Sequence, residues 1–388
     1  MDFSVSPEIA ALRDDVRAFI RTRLWPLEAD IETSGELPAA TAREILNESR
    51  ERGFYGMNIP SRFGGRGLSP IEICLVEMEI GQTIDVLMRR AFGNVYDILL
   101  ECRGPQQEEW LLPAVRGDRV CGIAMTETGA GSDAAGIETT ATADGDGWIL
   151  DGGKCYIGDA VAADFFVVTA VTTPGAGSRG ISLFLVDKAL EGVRIKRQIP
   201  MMGMRGMPVV ELQFDRVRLG SGHLLAERDR GFGTLLRAFG PLRLYHIGAR
   251  GVGMARRALD MMVDYAGRRQ QFGQPIGEFQ MVQAMIADSA VEWNAARLLV
   301  LDAAWELEQG GDAREKISMV KFHVAETLGR IADRAVQVFG ARGYSKDDPI
   351  ERIYRDSRVL RIFDGTSEIH RIIAAKGLLQ KGTAAVLG

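Results

Sequence analysis

The stretch "RIFDGTSEIH", Arg361 to His370, sets a carboxylate, Asp364, directly before a glycine and two hydroxyl residues, where an apolar helical period resumes. Two chemistries are open to it. Asp is favoured near the positive end of a helix dipole, and Thr366 or Ser367 can cap the freed amides, so Asp364 reads first as a helix-start device. A carboxylate at a turn can also act as a general base when a substrate proton comes within hydrogen-bond reach. A second stretch, "AMTETGAGSDAAG" (124–136), follows a strand pattern with small residues and hydroxyls at Thr126 and Ser132. Its glycines permit φ > 0 and let backbone N–H groups approach a pyrophosphate. It lacks the lysine of a P-loop and the third glycine of a dinucleotide fingerprint.

The elements that must position these residues fall into three blocks. Segments 7–30, 38–53, 70–84 and 106–116 each carry an apolar face at helical spacing, with breaks at "SGELP", "SRFGGRGLSP" and "CRGPQQ". From about 118 to 220 the period shortens: "DFFVVTAV" and "RGISLFLVDK" are rich in aromatic and β-branched residues, and "VVELQFDRVRLG" alternates apolar with polar. After "LLAERDRGFG" the helical period returns, with candidates at 234–267, 278–310, 313–341, 349–362 and 367–380. The expected fold is α+β and mostly α. It comprises an N-terminal helical domain (1–117), a middle antiparallel β domain built as a sandwich or barrel (118–222), and a C-terminal helical bundle (223–388).

Bulk properties narrow the classes. The 388 residues, 46% of them hydrophobic, suffice for two or three domains with real cores. A net charge of −5 with both signs interspersed provides no basic stripe for nucleic acid. The four cysteines, Cys74, Cys102, Cys121 and Cys155, show no CxxC spacing, and there are only four histidines, so no zinc site or disulfide framework is encoded. A reducing, cytoplasmic setting is expected. The N-terminus reads as an amphipathic helix through Ile9, Leu12, Val16 and Phe19, and no apolar run reaches the ~18 residues of a membrane span.

Taken together and in order, TETGAGSD at the first strand, Gly153-Lys154-x-Tyr156-Ile157, "RRQQFG", "QVFGARGY" and "FDGTSE" resemble the acyl-CoA dehydrogenase family over essentially the whole chain. That resemblance implies FAD, lying between the β domain and the bundle and gripped in part by a neighbouring subunit of a homotetramer (or homodimer). It implies that the loop from Met125 through Gly131 to Ser132 binds the flavin, with Thr126 on the pyrimidine edge and Ser132 near the pyrophosphate. Tyr156 takes the place of the aromatic residue that covers the ring, usually Trp. Gly158 falls where a Thr or Ser normally reaches flavin N5. Arg269, Phe272 and Gln280 match the family's adenine and pyrophosphate grip, and Gln337, Gly340 and Gly343 match the segment reaching across the dimer interface. Thr366 and Glu368 match positions that contact FAD.

The family's reaction takes a proton from the carbon α to a thioester while the β-hydrogen leaves as hydride, so it needs an aligned base, donors at the thioester oxygen and an electron sink. The base is a Glu in many members, at the position of Asp364. A second class of relatives carries its Glu on the first long bundle helix. Here that region, "FGPLRLYHIGARGVG", has Arg243 and Leu244 where the acid would fall and no Asp or Glu from 230 to 259. Asp364 is therefore the expected base, with His246 or Tyr245 next in line. Asp is one methylene short of Glu, which holds the carboxylate back by on the order of 1 Å. The same fold hosts nitroalkane oxidase, where Asp is the base.

Substrate contacts are expected at Ser132, Arg90, Arg243, Leu244 and Gly365. Alignment of "DVLMRRAFGNVYDILL" places Arg90 near the blind end of the acyl cavity, with Arg89, Asn94 and Tyr96 close by. Burying an unpaired guanidinium is expensive, so either the acyl group is short or ends in a carboxylate or other polar group, or Arg90 faces solvent or pairs with Asp85 or Asp97. The resemblance implies an acyl-CoA or carrier-protein-bound acyl substrate and an electron-transfer flavoprotein as partner. An O2-using oxidase and a flavin-bound relative without activity stay open.

Overall fold

The computed structural model describes residues 5–387 except Asn94, which leaves that sequence candidate outside the described residues. The chain begins with helix α1 (Pro7–Phe19), started by Ser6, whose hydroxyl accepts from the Ile9 amide at 3.3 Å, and it buries Ile9, Leu12, Val16 and Phe19. Next come α2 (Glu28–Ser34), α3 (Ala39–Glu51), α4 (Pro70–Ile80), α5 (Asp85–Phe92) and α6 (Leu112–Arg116). A Ser69/Glu72 capping box opens α4. Every residue of α4 from Ile73 to Ile80 is buried because the bundle closes over its other side. The backbones meet there: a Cβ on Gly253 would lie 2.2 Å from the Met78 oxygen, and one on Gly81 would lie 2.1 Å from the Arg250 oxygen. Buried charges fasten the same junction. Glu28 receives Arg257 at 2.7 and 2.8 Å together with Arg352 and the Thr83 hydroxyl.

Strands β1 (Cys121–Ala124), β2 (Thr140–Asp144), β3 (Gly147–Gly158), β4 (Phe165–Val171), β5 (Ile181–Asp187), β6 (Val193–Ile199), β7 (Val209–Leu219) and β8 (Leu224–Leu225) form one eight-stranded sheet in the order β6-β7-β3-β2-β4-β5-β8, with β1 added beside β4. Most pairs are antiparallel, but β1 and β2 each run parallel to β4. The departure from a purely antiparallel layout has a simple cause: the β2–β3 hairpin lies between β1 and β4, a connection long enough for a parallel return. Strands β4 and β5 are buried on both faces, which is why they read as unbroken apolar runs. Phe166, Val168, Phe184 and Val186 join Trp148, Leu150, Leu212 and Phe214, while Phe165, Val167, Leu183 and Leu185 pack on Leu99, Trp110, Leu235 and Phe239.

The bundle holds α7 (Gly231–Leu242), α8 (Arg250–Arg268), α9 (Gln280–Glu308), α10 (Arg314–Phe339), α11 (Pro349–Ser357), α12 (Ser367–Lys381) and α13 (Thr383–Leu387), with a β9–β10 hairpin (Gln270–Gln271, Gln274–Pro275) before α9. The helix expected at 234–267 is interrupted by a π-helical segment, Arg243–Ala249, just after Pro241. Proline has no N–H to donate to the preceding turn, so the regular bonding of α7 is already broken at Pro241. The helix expected at 349–362 ends at Ser357 and gives way to a 3₁₀ turn, Arg358–Arg361. Among the described residues, no helix is long and apolar enough to cross a membrane and no His/Cys/Asp/Glu cluster could hold a metal ion.

Candidate active site

Three elements converge on the turn that carries Asp364. Its main-chain oxygen accepts from Arg243 Nε of the π segment at 2.8 Å and from His370 Nε2 of α12 at 3.0 Å. The next carbonyl, Gly365 O, accepts from Lys321 Nζ of α10. Asp364 sits at φ +54° and Gly365 at φ +94°, both left-handed. The flanks are braced as well, since Glu326 of α10 receives Arg361 at 2.8 Å and Arg371 at 3.6 Å. Helix α12 is capped by Thr366, whose Oγ1 accepts from the Ile369 amide at 3.3 Å. Asp364 therefore lies two residues ahead of the cap and takes no part in starting the helix. Its carboxylate is half-buried and, among the described residues, has no hydrogen-bond or ion-pair partner.

Burial sets the electrostatics behind the turn. It pushes His370 down to about 4, so the ring is neutral; with Nε2–H donating, Nδ1 is left buried and unpartnered. Burial also pulls Lys321 down to about 8, against the opposing pull of Asp364. Arg243 is lowered by burial too, and its guanidinium lies over the Phe239 ring.

The glycine loop after β1 is held from within the sheet. Lys154 Nζ, fully buried, donates to Met125 O at 3.1 Å, to Glu127 Oε1 at 2.6 Å and to Thr169 Oγ1 at 3.1 Å. The Glu127 carboxylate also accepts the amides of Glu138 at 2.7 Å and Thr139 at 3.1 Å. Burial alone would raise Glu127, but Lys154 and these donors hold it below the usual carboxylate range. So anchored, the loop presents Gly129, Gly131 and Ser132 to solvent, with open space where a Cβ on either glycine would stand. Thr126 is half-buried beside them. Tyr156, at φ +56°, is 60% exposed on β3, and Gly158 closes the strand with Met207 Cε 3.3 Å from its would-be Cβ.

A second surface gathers the "RRQQFG" and "QVFGARGY" segments. Arg269 shares an open cavity with Tyr265, Arg268, Phe339, Ala341 and Arg342. Gln337 and Gly340 are exposed at the end of α10, while Gly343 packs so tightly that a Cβ would meet Val336 O at 2.7 Å. Phe272 stands 95% exposed at the tip of the β9–β10 hairpin, with Gln280 exposed at the start of α9. Thr126, Ser132 and Tyr156 do not line this cavity.

Several sequence candidates fall elsewhere. Arg90 pairs with buried Asp159, not with Asp85, Asp97 or solvent. Arg89 takes Asp85 at 2.5 Å and reaches Tyr96 Oη at 3.4 Å. Burial pushes the Tyr96 hydroxyl up, and Arg89 opposes that shift. Leu244 does not face the turn: it is fully buried in the core shared by α4 and the bundle. Adjacent positions on a helix point about 100° apart, so Arg243 turns toward Asp364 and Leu244 toward the core. His246 lies 3.8 Å from Glu77 and is held well below its ordinary value by burial and by Arg250 and Arg89. It shares a small cavity with Asn58, Glu77, Phe92 and Val95.

Sequence reasoning missed Lys321, His370, Glu127 and Asp159. One signal was available for the first: Lys321 stands on the apolar face of α10 among Ile317, Val320 and Val324, where a charge needs a reason.

A mixed sheet between two helical regions is the fold of a known class of oxidoreductases. The family models for acyl-CoA dehydrogenases match in series: the N-terminal domain at residues 6–118, the middle domain at 122–217 and the C-terminal domain at 229–379. A 3-(aryl)acrylate reductase from Clostridium sporogenes is 34% identical over 95% of this chain and 98% of its own. A benzylmalonyl-CoA dehydrogenase from Aromatoleum aromaticum is 36% identical over 97% of this chain and 99% of its own. A structure of PigA with FAD and proline superposes with a TM-score of 0.91 at 26% identity, covering 98% of this chain and 100% of that one. The chain belongs to the acyl-CoA dehydrogenase family.

Proposed function

We propose that this protein is an FAD-dependent dehydrogenase of the α,β bond of an acyl thioester, carried by CoA or by a carrier protein. The carrying observation is Asp364: a half-buried carboxylate without a hydrogen-bond or ion-pair partner among the described residues, on a turn whose carbonyls are tied down by Arg243, His370 and Lys321. A base needs a free carboxylate and a fixed position, and this one has both. In this reading Asp364 takes the α-proton, and the backbone N–H at Asp364 serves the thioester oxygen as negative charge develops there. FAD, when bound, supplies the hydride acceptor.

The residues present fit that cofactor. Exposed Tyr156, Phe272 and Tyr344 are large rings left wet unless a ligand or subunit covers them. The open space at Gly129 and Gly131 leaves room for a pyrophosphate beside the loop of Met125, Thr126, Gly131 and Ser132. Tyr156 and Gly158 would flank the ring, and Thr366 and Glu368 would meet it from α12. Arg269, Phe272, Gln280, Gln337, Gly340 and Gly343 would grip the adenosine end of a neighbour's cofactor in a homotetramer. An electron-transfer flavoprotein is the proposed acceptor.

Because Asp159 pairs with Arg90 and Asp85 with Arg89, a polar acyl terminus would be received on the side of Tyr96 and His246. A relative acting on benzylmalonyl-CoA, whose acyl group bears both a ring and a carboxylate, supports such a group. Anaerobic bleaching of the bound flavin by a panel of thioesters tests the reading: bleaching by at least one is expected, and none by any would end it. The short acid favours one rival, an oxidase, for which rapid aerobic peroxide formation without added acceptor would speak.

A further inference from the structure

Two of the three side chains that grip the FDG turn, Lys321 of α10 and His370 of α12, are buried behind it. We propose that Lys321 and His370 are positioning residues, which hold the main chain of Asp364 and Gly365 left-handed so that the short carboxylate is presented at one fixed point. This rests on Asp364 being the base.

A non-glycine residue at φ +54° is held in a sparsely populated conformation, and such a residue persists only where its surroundings over-determine it. The surroundings here are specific. Asp364 O is tied at two points, by Arg243 at 2.8 Å and His370 at 3.0 Å, and Gly365 O by Lys321. With both carbonyls turned inward, the peptide between them cannot rotate, and the direction of the Asp364 Cα–Cβ bond follows.

Lys321 and His370 are nearly inaccessible, at 0% and 1% exposure, so their donors cannot leave for water. No carboxylate neutralises Lys321 by direct contact among the described residues. A buried ammonium that spends its proton on one peptide oxygen is a costly way to stabilise a helix bundle, and an economical way to fix one carbonyl. The need is greater for Asp than for Glu, because the missing methylene removes a torsion by which the carboxylate could search for its proton. A misplacement of ~1 Å can lower the rate about 10²-fold.

The test uses the FAD-loaded protein with Lys321→Met, Lys321→Arg, His370→Leu and His370→Gln. Two readouts are taken: hydrogen–deuterium exchange of the peptide spanning 358–368, and the limiting rate of anaerobic flavin reduction by butyryl-CoA, glutaryl-CoA and 3-phenylpropionyl-CoA. Lys321→Met and His370→Leu are expected to speed exchange at residues 363–366 while α10 and α12 stay protected. For the thioester that works best, the limiting rate should fall by about 10- to 100-fold with little change in half-saturation. Lys321→Arg and His370→Gln, which restore a donor, should recover much of both.

Unchanged exchange at the turn, or acceleration spread evenly through the bundle, would overturn the proposal. If no thioester reduces the wild-type flavin, the dehydrogenation reading fails, while the exchange measurement still decides whether these residues hold the turn.

Discussion

Arg243 Nε lies 2.8 Å from the main-chain oxygen of Asp364, so the arginine grips the backbone of the candidate base and leaves its carboxylate free. A guanidinium bonded to the carboxylate itself would have favoured the ionised form and occupied its lone pairs. On the carbonyl it leaves those lone pairs open to a substrate.

Asp364→Asn should therefore abolish flavin reduction by any thioester that bleaches the wild type, with thermal unfolding displaced by no more than a surface substitution would give, about 0.5 kcal/mol. Retained reduction would place the base elsewhere. Asp364→Glu is the sharper variant, because it advances the carboxylate by on the order of 1 Å without changing its charge. Faster reduction by straight-chain acyl-CoA would identify the short acid as a selectivity device; uniformly slower reduction would mean that the turn is set for Asp.

Lys154 and Glu127 predict a second loss. Lys154→Met strands Glu127, 9% exposed, without its ammonium partner, and breaking a buried pair from one side typically costs about 3–5 kcal/mol. Because Lys154 also holds Met125 O, the glycine loop should loosen. Urea unfolding should shift to lower concentration, and the protein should be isolated with less FAD. The double variant Lys154→Met/Glu127→Gln leaves no charge stranded and keeps an acceptor for the amides of Glu138 and Thr139, so it should recover part of the stability. Equal losses in single and double variants would mean that the ion pair is not the source.

Much of this architecture can be read in the residues. Phe165–Val171 and Ile181–Asp187 announce buried strands because both faces are covered, and α1 announces its start through Ser6 and Pro7. What escapes is contact between segments distant in sequence. Nothing local ties Arg90 to Asp159 or Lys321 to Gly365, since each pair forms only when two domains or two helices meet. The π turn at Arg243–Ala249 is equally hidden: Pro241 warns of an irregularity, but whether a helix kinks, stops or widens depends on what packs beside it.

His370 gives a pH dependence with a definite sign. Its folded value, pushed down to about 4 by burial, lies below the ~6.5 of an unfolded histidine. As pH falls below 6.5 the unfolded chain takes up a proton that the folded one refuses, so this group's contribution is fully present above 6.5 and is lost progressively toward 4. Replacing the ring by the nontitrating donor of His370→Gln should remove that component. The difference in unfolding free energy between wild type and variant should thus change between pH 6.5 and 4 and stay flat above 7. A difference constant across the whole range would show that His370 binds its proton equally well in the folded and the unfolded chain.

Gly365 supplies the last prediction, because two separate obstacles meet there. Its φ of +94° is one that a side chain rarely adopts, and a Cβ would stand 2.8 Å from His370 Nε2. Gly365→Ala should lower stability by roughly 1–3 kcal/mol and reduce flavin reduction further than stability alone explains, since relief of the clash displaces the ring that holds Asp364 O. The two causes separate in a double variant. Adding His370→Ala to Gly365→Ala removes the clash but leaves the dihedral strain, so the alanine at 365 should be better tolerated in that background, with a measurable coupling energy. If its penalty is the same with and without the imidazole, the backbone conformation alone accounts for the glycine, and the ring does not press on the turn.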